Sequence, residues 1–192
     1  VRDVDYASVP RSTPHGSAPW PALPDVAAEL VFQGNGMKVK DVRGRVQGLP
    51  GLQVQADAQI PHFHQSQVQV QGRITGPRAN ALTVINTSPA AGMVNNALAR
   101  ATGTGSAETL LRLRLPLHEM ARSQVQGTVT LAGNDVQMSP DTPLLARARG
   151  TVQFSDKGFQ LSGVQARALG GEVRLEGGTR AFELTLNEPE SE

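Results

Sequence analysis

The sequence predicts a mainly β fold of roughly ten antiparallel strands, with one or two short helices near residues 77–101. Apolar and polar residues alternate strictly in many short runs, as in LQVQADAQI at residues 52–60. Such alternation gives a strand one apolar face and one polar face. Turn signals containing glycine interrupt these runs about every 8–12 residues, a spacing typical of an antiparallel meander.

The first part of the chain is expected to be a proline-rich lead-in, followed by a hairpin. Five prolines lie between Pro10 and Pro24, and proline cannot donate a hydrogen bond to a sheet. The next two strand-like runs flank Gly34-Asn35-Gly36, whose residues readily adopt positive φ and predict a β-hairpin. Further turns are predicted at Asp156-Lys157-Gly158 and Gly133-Asn134-Asp135. The predicted organisation is a lead-in or edge segment at 1–24, a strand-rich segment at 25–187 with strands at 27–75 and 109–187, and a polar tail at 188–192.

A helical insert is predicted at residues 77–101, between the two groups of strands. Helical spacing places Ala90, Met93, Val94, Ala97, Leu98 and Ala101 on one face, with Ser88 as N-cap, Pro89 at the first helical position and Gly103 past the end. A second short helix is predicted after Gly76-Pro77, although the β-branched run Thr83-Val84-Ile85 favours a strand.

Composition excludes several classes of function. The net charge is +1, from 18 basic and 17 acidic residues spread along the chain, so no nucleic-acid partner is expected. Cysteine is absent, which removes disulfides and thiolate chemistry. The chain has no apolar run long enough to span a bilayer. It begins with Val1 rather than Met, and we expect it to be an internal piece of a longer protein.

No catalytic, metal or cofactor site is predicted, and the chain is not expected to be an enzyme. The two imidazoles of His62-Phe63-His64 have no third ligand at matching spacing. The segment HEMAR at 118–122 lacks the second histidine of a zinc protease helix. The glycines of GTGSAE at 103–108 come without the lysine of a phosphate-binding loop, so a helix-exit turn is the better interpretation.

The covering of the apolar strand faces is left open by the residues themselves. One short helix cannot cover about ten strands, so the sheet must fold on itself as a sandwich or barrel, or leave a groove. A self-covered core is the commoner fate of an apolar strand face. Aromatic residues are scarce, however, and smooth aliphatic walls would suit acyl chains.

Three segments together resemble a known family. They are PWPALPDVAAELVFQGNGMKVKDVRGRVQG at 19–48, NTSPAAGMVNNALARATGTGSAETLLRLRLPL at 86–117 and VTLAGNDVQMSPDTPLLARARGTVQFSDKGFQLSGVQARALGGEVRLEGG at 129–178. Their order is similar to that in the YhdP branch of the large AsmA-like proteins of Gram-negative bacteria. The resemblance implies a long twisted antiparallel sheet curled into an open hydrophobic groove, in a periplasmic protein anchored in the inner membrane by a segment outside this chain.

The resemblance also implies a function without catalytic residues. The groove would conduct phospholipid between the inner and outer membranes, with phospholipid acyl chains and neighbouring segments of the same long chain as partners. The unpaired edges of an isolated piece would allow an edge-to-edge dimer. A helix plug would consist of Met93, Val94, Ala97 and Leu98. By alternation, the residues expected to line the groove are Leu52, Val54, Ala56, Ala58, Ile60, Val68, Val70, Leu111, Leu113, Leu115, Val129, Leu131, Phe154, Phe159, Leu161, Leu175, Phe182, Leu184 and Leu186.

The alternative is a closed β-sandwich or a solenoid that acts as a spacer or protein-interaction module without lipid cargo. The charged substitution Val54→Asp separates the two hypotheses. In a groove it impairs transport and preserves the fold, whereas in a closed core it unfolds the protein.

Overall fold

The computed structural model describes residues 23–87, 90–93, 98–119, 122–178 and 181–187. Within these residues the strands form one antiparallel sheet, in which each long strand pairs with the next along the chain. The sheet is open, because the edge strands β1 and β11 do not pair with each other. The strands are β1 (Ala27–Gln33), β2 (Gly36–Val46), β3 (Leu49–Ile60), β4 (Gln67–Pro77), β5 (Thr102–Gly103), β6 (Ser106–Pro116), β7 (Gln124–Gln137), β8 (Leu145–Ser155), β9 (Gly158–Ala168), β10 (Gly171–Gly178) and β11 (Ala181–Asn187).

The order of the strands confirms the predicted open antiparallel meander. Ten strands follow one another in the order β1-β2-β3-β4-β6-β7-β8-β9-β10-β11, and the two-residue β5 pairs with β7. The predicted hairpin is present, since Gln33 pairs with Gly36 and Gly34 has a φ of 58°. Ser155 pairs with Gly158 around the predicted turn at Asp156-Lys157. Except between β4 and β6, short links join neighbouring strands, which explains why sequence alternation identified most of this topology.

The predicted turn at Gly133-Asn134-Asp135 is wrong. These residues lie inside the 14-residue strand β7, where the register with β8 shifts on both sides of Asn134. Gly133 has a φ of 90°, which disturbs the ladder without reversing the chain. The Asn134 side chain holds this bulge, because Oδ1 accepts a hydrogen bond from the Ala132 N–H at 2.8 Å.

Two further bulges share one feature: an aspartate carboxylate accepts a hydrogen bond from the backbone N–H of a residue with positive φ. Asp41 in β2 has a φ of 51°, and its N–H donates to Asp57 Oδ1 at 2.9 Å. Arg147 in β8 has a φ of 53°, and its N–H donates to Asp135 Oδ1 at 2.9 Å. Bulges bend a strand and increase its twist. The sheet therefore carries built-in bends at β2 and β8.

The segment between β4 and β6 contains α1 (Arg78–Asn86) and α2 (Ala90–Met93). The short helix after Gly76-Pro77 is therefore confirmed, although three of its residues are β-branched. The helix predicted from Pro89 to Ala101 does not extend that far, because residues 98–100 form a turn and Thr102 begins β5. Asn95 and Asn96 are poor helix formers, and glycine at position 92 costs a further ~1 kcal/mol. Ser88, Pro89 and residues 94–97 lie outside the described residues.

Gly127 in β7 leaves room for the aromatic ring of Phe154 in β8. The two residues are cross-strand partners, and a Cβ added at Gly127 would collide with that ring. We expect Gly127→Val to displace Phe154 and lower the free energy of unfolding by about 1–3 kcal/mol, the cost of overpacking. Urea unfolding monitored by circular dichroism measures the change. Thr128→Val, at the next position on the opposite face, is the control, and equal stability of the two variants would contradict the expectation.

Candidate functional site

One face of the sheet is apolar and runs without interruption from strand to strand. Cross-strand partners in an antiparallel sheet project to the same face. Ala58, Val70, Leu113 and Val125 are successive partners across β3, β4, β6 and β7. Farther along the sheet, Val152 of β8 pairs with residues on β7 and β9 that are also aliphatic. We call this surface the apolar face.

The register places every strand residue expected to line a groove on the apolar face. Within β9 the alternation shifts by one residue, because the chain bulges at Gly163, which has a φ of 58°. As a result, Val164 lies on the same face as Leu161. The placed residues are Leu52, Val54, Ala56, Ala58, Ile60, Val68, Val70, Leu111, Leu113, Leu115, Val129, Leu131, Phe154, Phe159, Leu161 and Leu175, and the backbone register adds Phe182, Leu184 and Leu186 of β11.

Burial varies along this face. Leu52 is fully buried, with 0% of its surface exposed, whereas Phe159 is 36% exposed and Phe32, on the edge strand β1, is 67% exposed. The buried residues form three separate clusters, around Leu52, around the Leu113–Val125 pair and along β7 to β10. Among the residues whose burial is described, the apolar face is thus well covered in the interior of the sheet and open at the β1 edge.

Helix α1 covers part of the apolar face. Val84 is buried in the cluster of Val46 and Leu52, and Ile85 packs against the cluster of Leu113 and Val125. The sequence predicted a plug on the next helix instead. Of those residues, Leu98 lies in a turn and its carbonyl accepts a hydrogen bond from Asn86 Nδ2 at 2.9 Å. Met93 lies in α2, and Val94 and Ala97 lie outside the described residues.

The opposite face is polar, with Gln55, Gln71 and Gln126 among its residues. A depression of about 1210 Å³ is lined by these glutamines and also by Ala56, Leu111 and Phe154 of the apolar face. An ion pair between Arg73 Nη1 and Glu108 Oε2, 3.7 Å apart, lies on the same side of β4 and β6. This surface offers hydrogen bonds and charges, so it does not suit acyl chains.

Arg78, the first residue of α1, is the buried charged residue of the site. Its side chain is 6% exposed, and neither Nη1 nor Nη2 has a hydrogen-bond partner among the described residues. Burial lowers the pKa of its guanidinium, because desolvation disfavours the charged form. The backbone N–H of Arg78 donates to the carbonyl of Gly105 at 2.9 Å. Sequence reasoning missed this residue, since a single arginine at a loop boundary gives no signal of burial.

The histidines lie at the opposite end of β4. His62 and His64 flank the start of a single 3-10 turn (Phe63–Gln65) and are exposed. His118 Nε2 lies 2.9 Å from Ser66 Oγ and ties two neighbouring loops together. Among the residues that the structure describes, no three His, Asp or Glu side chains are grouped in a way that would hold a metal ion. No helix in the described ranges is long and apolar enough to cross a membrane.

Comparison with known proteins gives one assignment. Neither a curated protein nor a solved structure matches the chain. The family model described as YhdP protein matches residues 14–187 of the 192. This match covers the whole sheet, including the apolar face and α1. The chain therefore belongs to the YhdP family, a family associated with lipid transport.

Proposed function

We propose that the apolar face of the sheet holds the acyl chains of phospholipids. The parent protein would conduct lipid between the inner and outer membranes of a Gram-negative bacterium, through the periplasm and without a chemical step. The observation that carries this proposal is the continuity of the apolar face across the sheet. A hydrophobic core requires only a local apolar patch, whereas the movement of lipid along the sheet requires an apolar surface that continues from strand to strand.

The dimensions of the face support a path rather than a pocket. Nine spacings of about 4.8 Å separate ten strands, so the face measures about 43 Å from edge to edge along the sheet. This exceeds the thickness of a bilayer hydrocarbon core, which is about 30 Å. Acyl chains make no directional bonds, so they can move along aliphatic side chains without breaking hydrogen bonds.

The open edges support a continuation of this path. β1 and β11 each have one neighbour in the sheet, and a free edge presents unpaired N–H and C=O groups. Neighbouring segments of the same long chain would pair with these edges and extend the apolar face. In the isolated chain, the same edges would allow two copies to pair.

The alternative of a closed sandwich needs a second sheet that covers the first. The strands of the described residues form a single sheet, so the closed form is not observed there. A spacer without lipid cargo remains the outcome to test against.

Ala56→Asp is the most direct test of the proposal. Ala56 lies half-buried on the apolar face, outside the buried clusters, and a Cβ built on its partner Gly72 would lie 3.7 Å from the Ala56 Cβ. Because glycine stands opposite, there is space for a carboxylate, which would repel acyl chains at modest cost to folding. We expect the wild-type chain, purified from a bacterial host without detergent, to carry phospholipid in native mass spectrometry and organic extraction, and the variant to lose it.

Gln55→Asp is the matched control. Its side chain lies one residue away on the polar face, where it is exposed. The control should retain the lipid and fold like Ala56→Asp in circular dichroism. A stable wild-type chain without lipid, or unchanged lipid in a folded Ala56→Asp variant, would contradict the proposal and favour a spacer.

A further inference from the structure

The guanidinium of Arg78 is a buried cation for which the described residues provide no counter-charge. Arginine stays protonated at neutral pH, so it cannot escape burial by losing its charge. A buried charge without a partner costs several kcal/mol, and proteins rarely retain one without a use for it. The carbonyl of Gly105 accepts a hydrogen bond from the backbone N–H of Arg78, not from its side chain.

The start of α1 adds a second source of positive potential at the same place. The N-cap residue Pro77 makes no side-chain cap, and the first turn contains no acidic residue. The free N–H groups of a first helical turn carry partial positive charge and favour anions. Arg78 is the first residue of this helix, and its Nη1 and Nη2 have no partner among the described residues, so both features belong to one residue.

Glycines let the backbone pack closely around Arg78. A Cβ added at Gly103 in β5 would collide with Cδ of Arg78, so the arginine stem packs directly on the β5 backbone. Gly76 stands two residues before Arg78, and a Cβ added there would lie 3.1 Å from Leu52 Cδ1. The backbone just before α1 therefore contacts the apolar cluster of Leu52. Charge and apolar surface thus adjoin at this end of the face.

We propose that Arg78 and the first turn of α1 bind the phosphate group of a phospholipid whose acyl chains lie on the apolar face. This inference rests on the proposed function and adds a headgroup site to it. A guanidinium matches two phosphate oxygens with parallel hydrogen bonds, and it supplies the charge that the phosphate carries. Nη1 and Nη2 are enclosed in the structure, so this proposal requires α1 to move away from β5 when the phosphate binds.

Binding measurements with three probes test this site. The probes are dihexanoyl-phosphatidylglycerol, dihexanoylglycerol, which lacks the phosphate, and inorganic phosphate, each titrated into the 192-residue chain by calorimetry. We expect Arg78→Met to weaken binding of the phospholipid about 10-fold to 100-fold, the loss of a charge-assisted pair, and to leave dihexanoylglycerol unaffected. Arg114→Met, which removes an exposed arginine from β6, should change neither.

The outcomes separate this inference from the proposed function. If both lipids bind and Arg78→Met has no effect, the headgroup site is wrong and the apolar path stands. If neither lipid binds, both proposals are overturned. If inorganic phosphate binds as tightly as the phospholipid, the site takes a free anion and the inference of a lipid headgroup is overturned.

Thermal unfolding of the lipid-free chain gives an independent measurement. Met keeps the apolar stem of the side chain but removes a buried charge that has no partner among the described residues, so Arg78→Met should raise the melting temperature by several degrees. A lower melting temperature would mean that a carboxylate elsewhere in the chain pairs with Arg78. That result would overturn the phosphate site.

Discussion

Leu52→Asp is expected to unfold the chain. Leu52 has no exposed surface and packs with Val46 of β2 and Val84 of α1. The substitution removes a buried leucine, which alone costs about 2–5 kcal/mol, and adds an unpaired carboxylate to an apolar cluster. The sum is comparable with the whole free energy of folding of a typical domain, about 5–15 kcal/mol. Circular dichroism and urea titration of the purified variant measure the loss.

Gln53→Asp provides the comparison one residue away. Gln53 is exposed on the polar face and pairs with Arg45 of β2. An aspartate there remains in water, so the expected change is within about 0.5 kcal/mol. If Leu52→Asp folded with the stability of Gln53→Asp, the burial of the Leu52 cluster under α1 would be incorrect.

Asn134→Ala is expected to lower the free energy of unfolding by about 2–3 kcal/mol. Asn134 is 4% exposed, and its Nδ2 donates to the carbonyls of Thr104 and Ser106 at 3.1 and 2.8 Å. Alanine would leave these carbonyls and the Ala132 N–H without their partner. The measurement is equilibrium unfolding, together with hydrogen exchange of the Ala132 amide, which should accelerate.

Gln137→Ala is the control for this bulge. Gln137 lies on the same strand, and its one side-chain hydrogen bond, to the carbonyl of Thr142 at 2.9 Å, is exposed to water. Its loss should cost no more than a few tenths of a kcal/mol. Equal losses from both variants would mean that Asn134 does not hold the segment from Thr104 to Ser106 against β7.

The substitutions on the apolar face separate stability from function. Leu52 belongs to a buried cluster, Val54 packs against that cluster, and Ala56 lies outside the clusters. Leu52→Asp therefore tests whether the chain folds, whereas Ala56→Asp tests whether lipid occupies the apolar face. Val54→Asp, which alternation alone suggests as the test, would mix the two effects because Val54 lies close to α1.

Most of the strands and their facing were predictable from local pattern. LQVQADAQI alternates because Leu52 to Ile60 form one strand with its apolar residues on one side, and the register confirms that side across the neighbouring strands. The Gly34-Asn35 hairpin was predictable because those residues tolerate positive φ. Nearby residues are enough to predict which segments form strands and which face of the sheet each strand residue occupies.

Other features depend on contacts between distant segments, and no local pattern contains them. Gly133-Asn134-Asp135 resembles a turn, but Asn134 bonds to Thr104 and Ser106 and is held inside β7. The covering of the apolar face by α1 follows from Val84 meeting Val46 and Leu52, more than 30 residues earlier.

The sequence by itself determined the mainly β class, the antiparallel order and the chemistry of each face, because alternation and turn residues act over a few positions. The tertiary structure decided that the sheet stays open, that α1 lies on the apolar face and that the Nη atoms of Arg78 are buried with no hydrogen-bond partner among the described residues. These outcomes depend on how bulges bend the sheet and on which distant residues pack together. Burial of a charge or closure of an edge is a property of the whole arrangement, so neighbouring residues do not encode it.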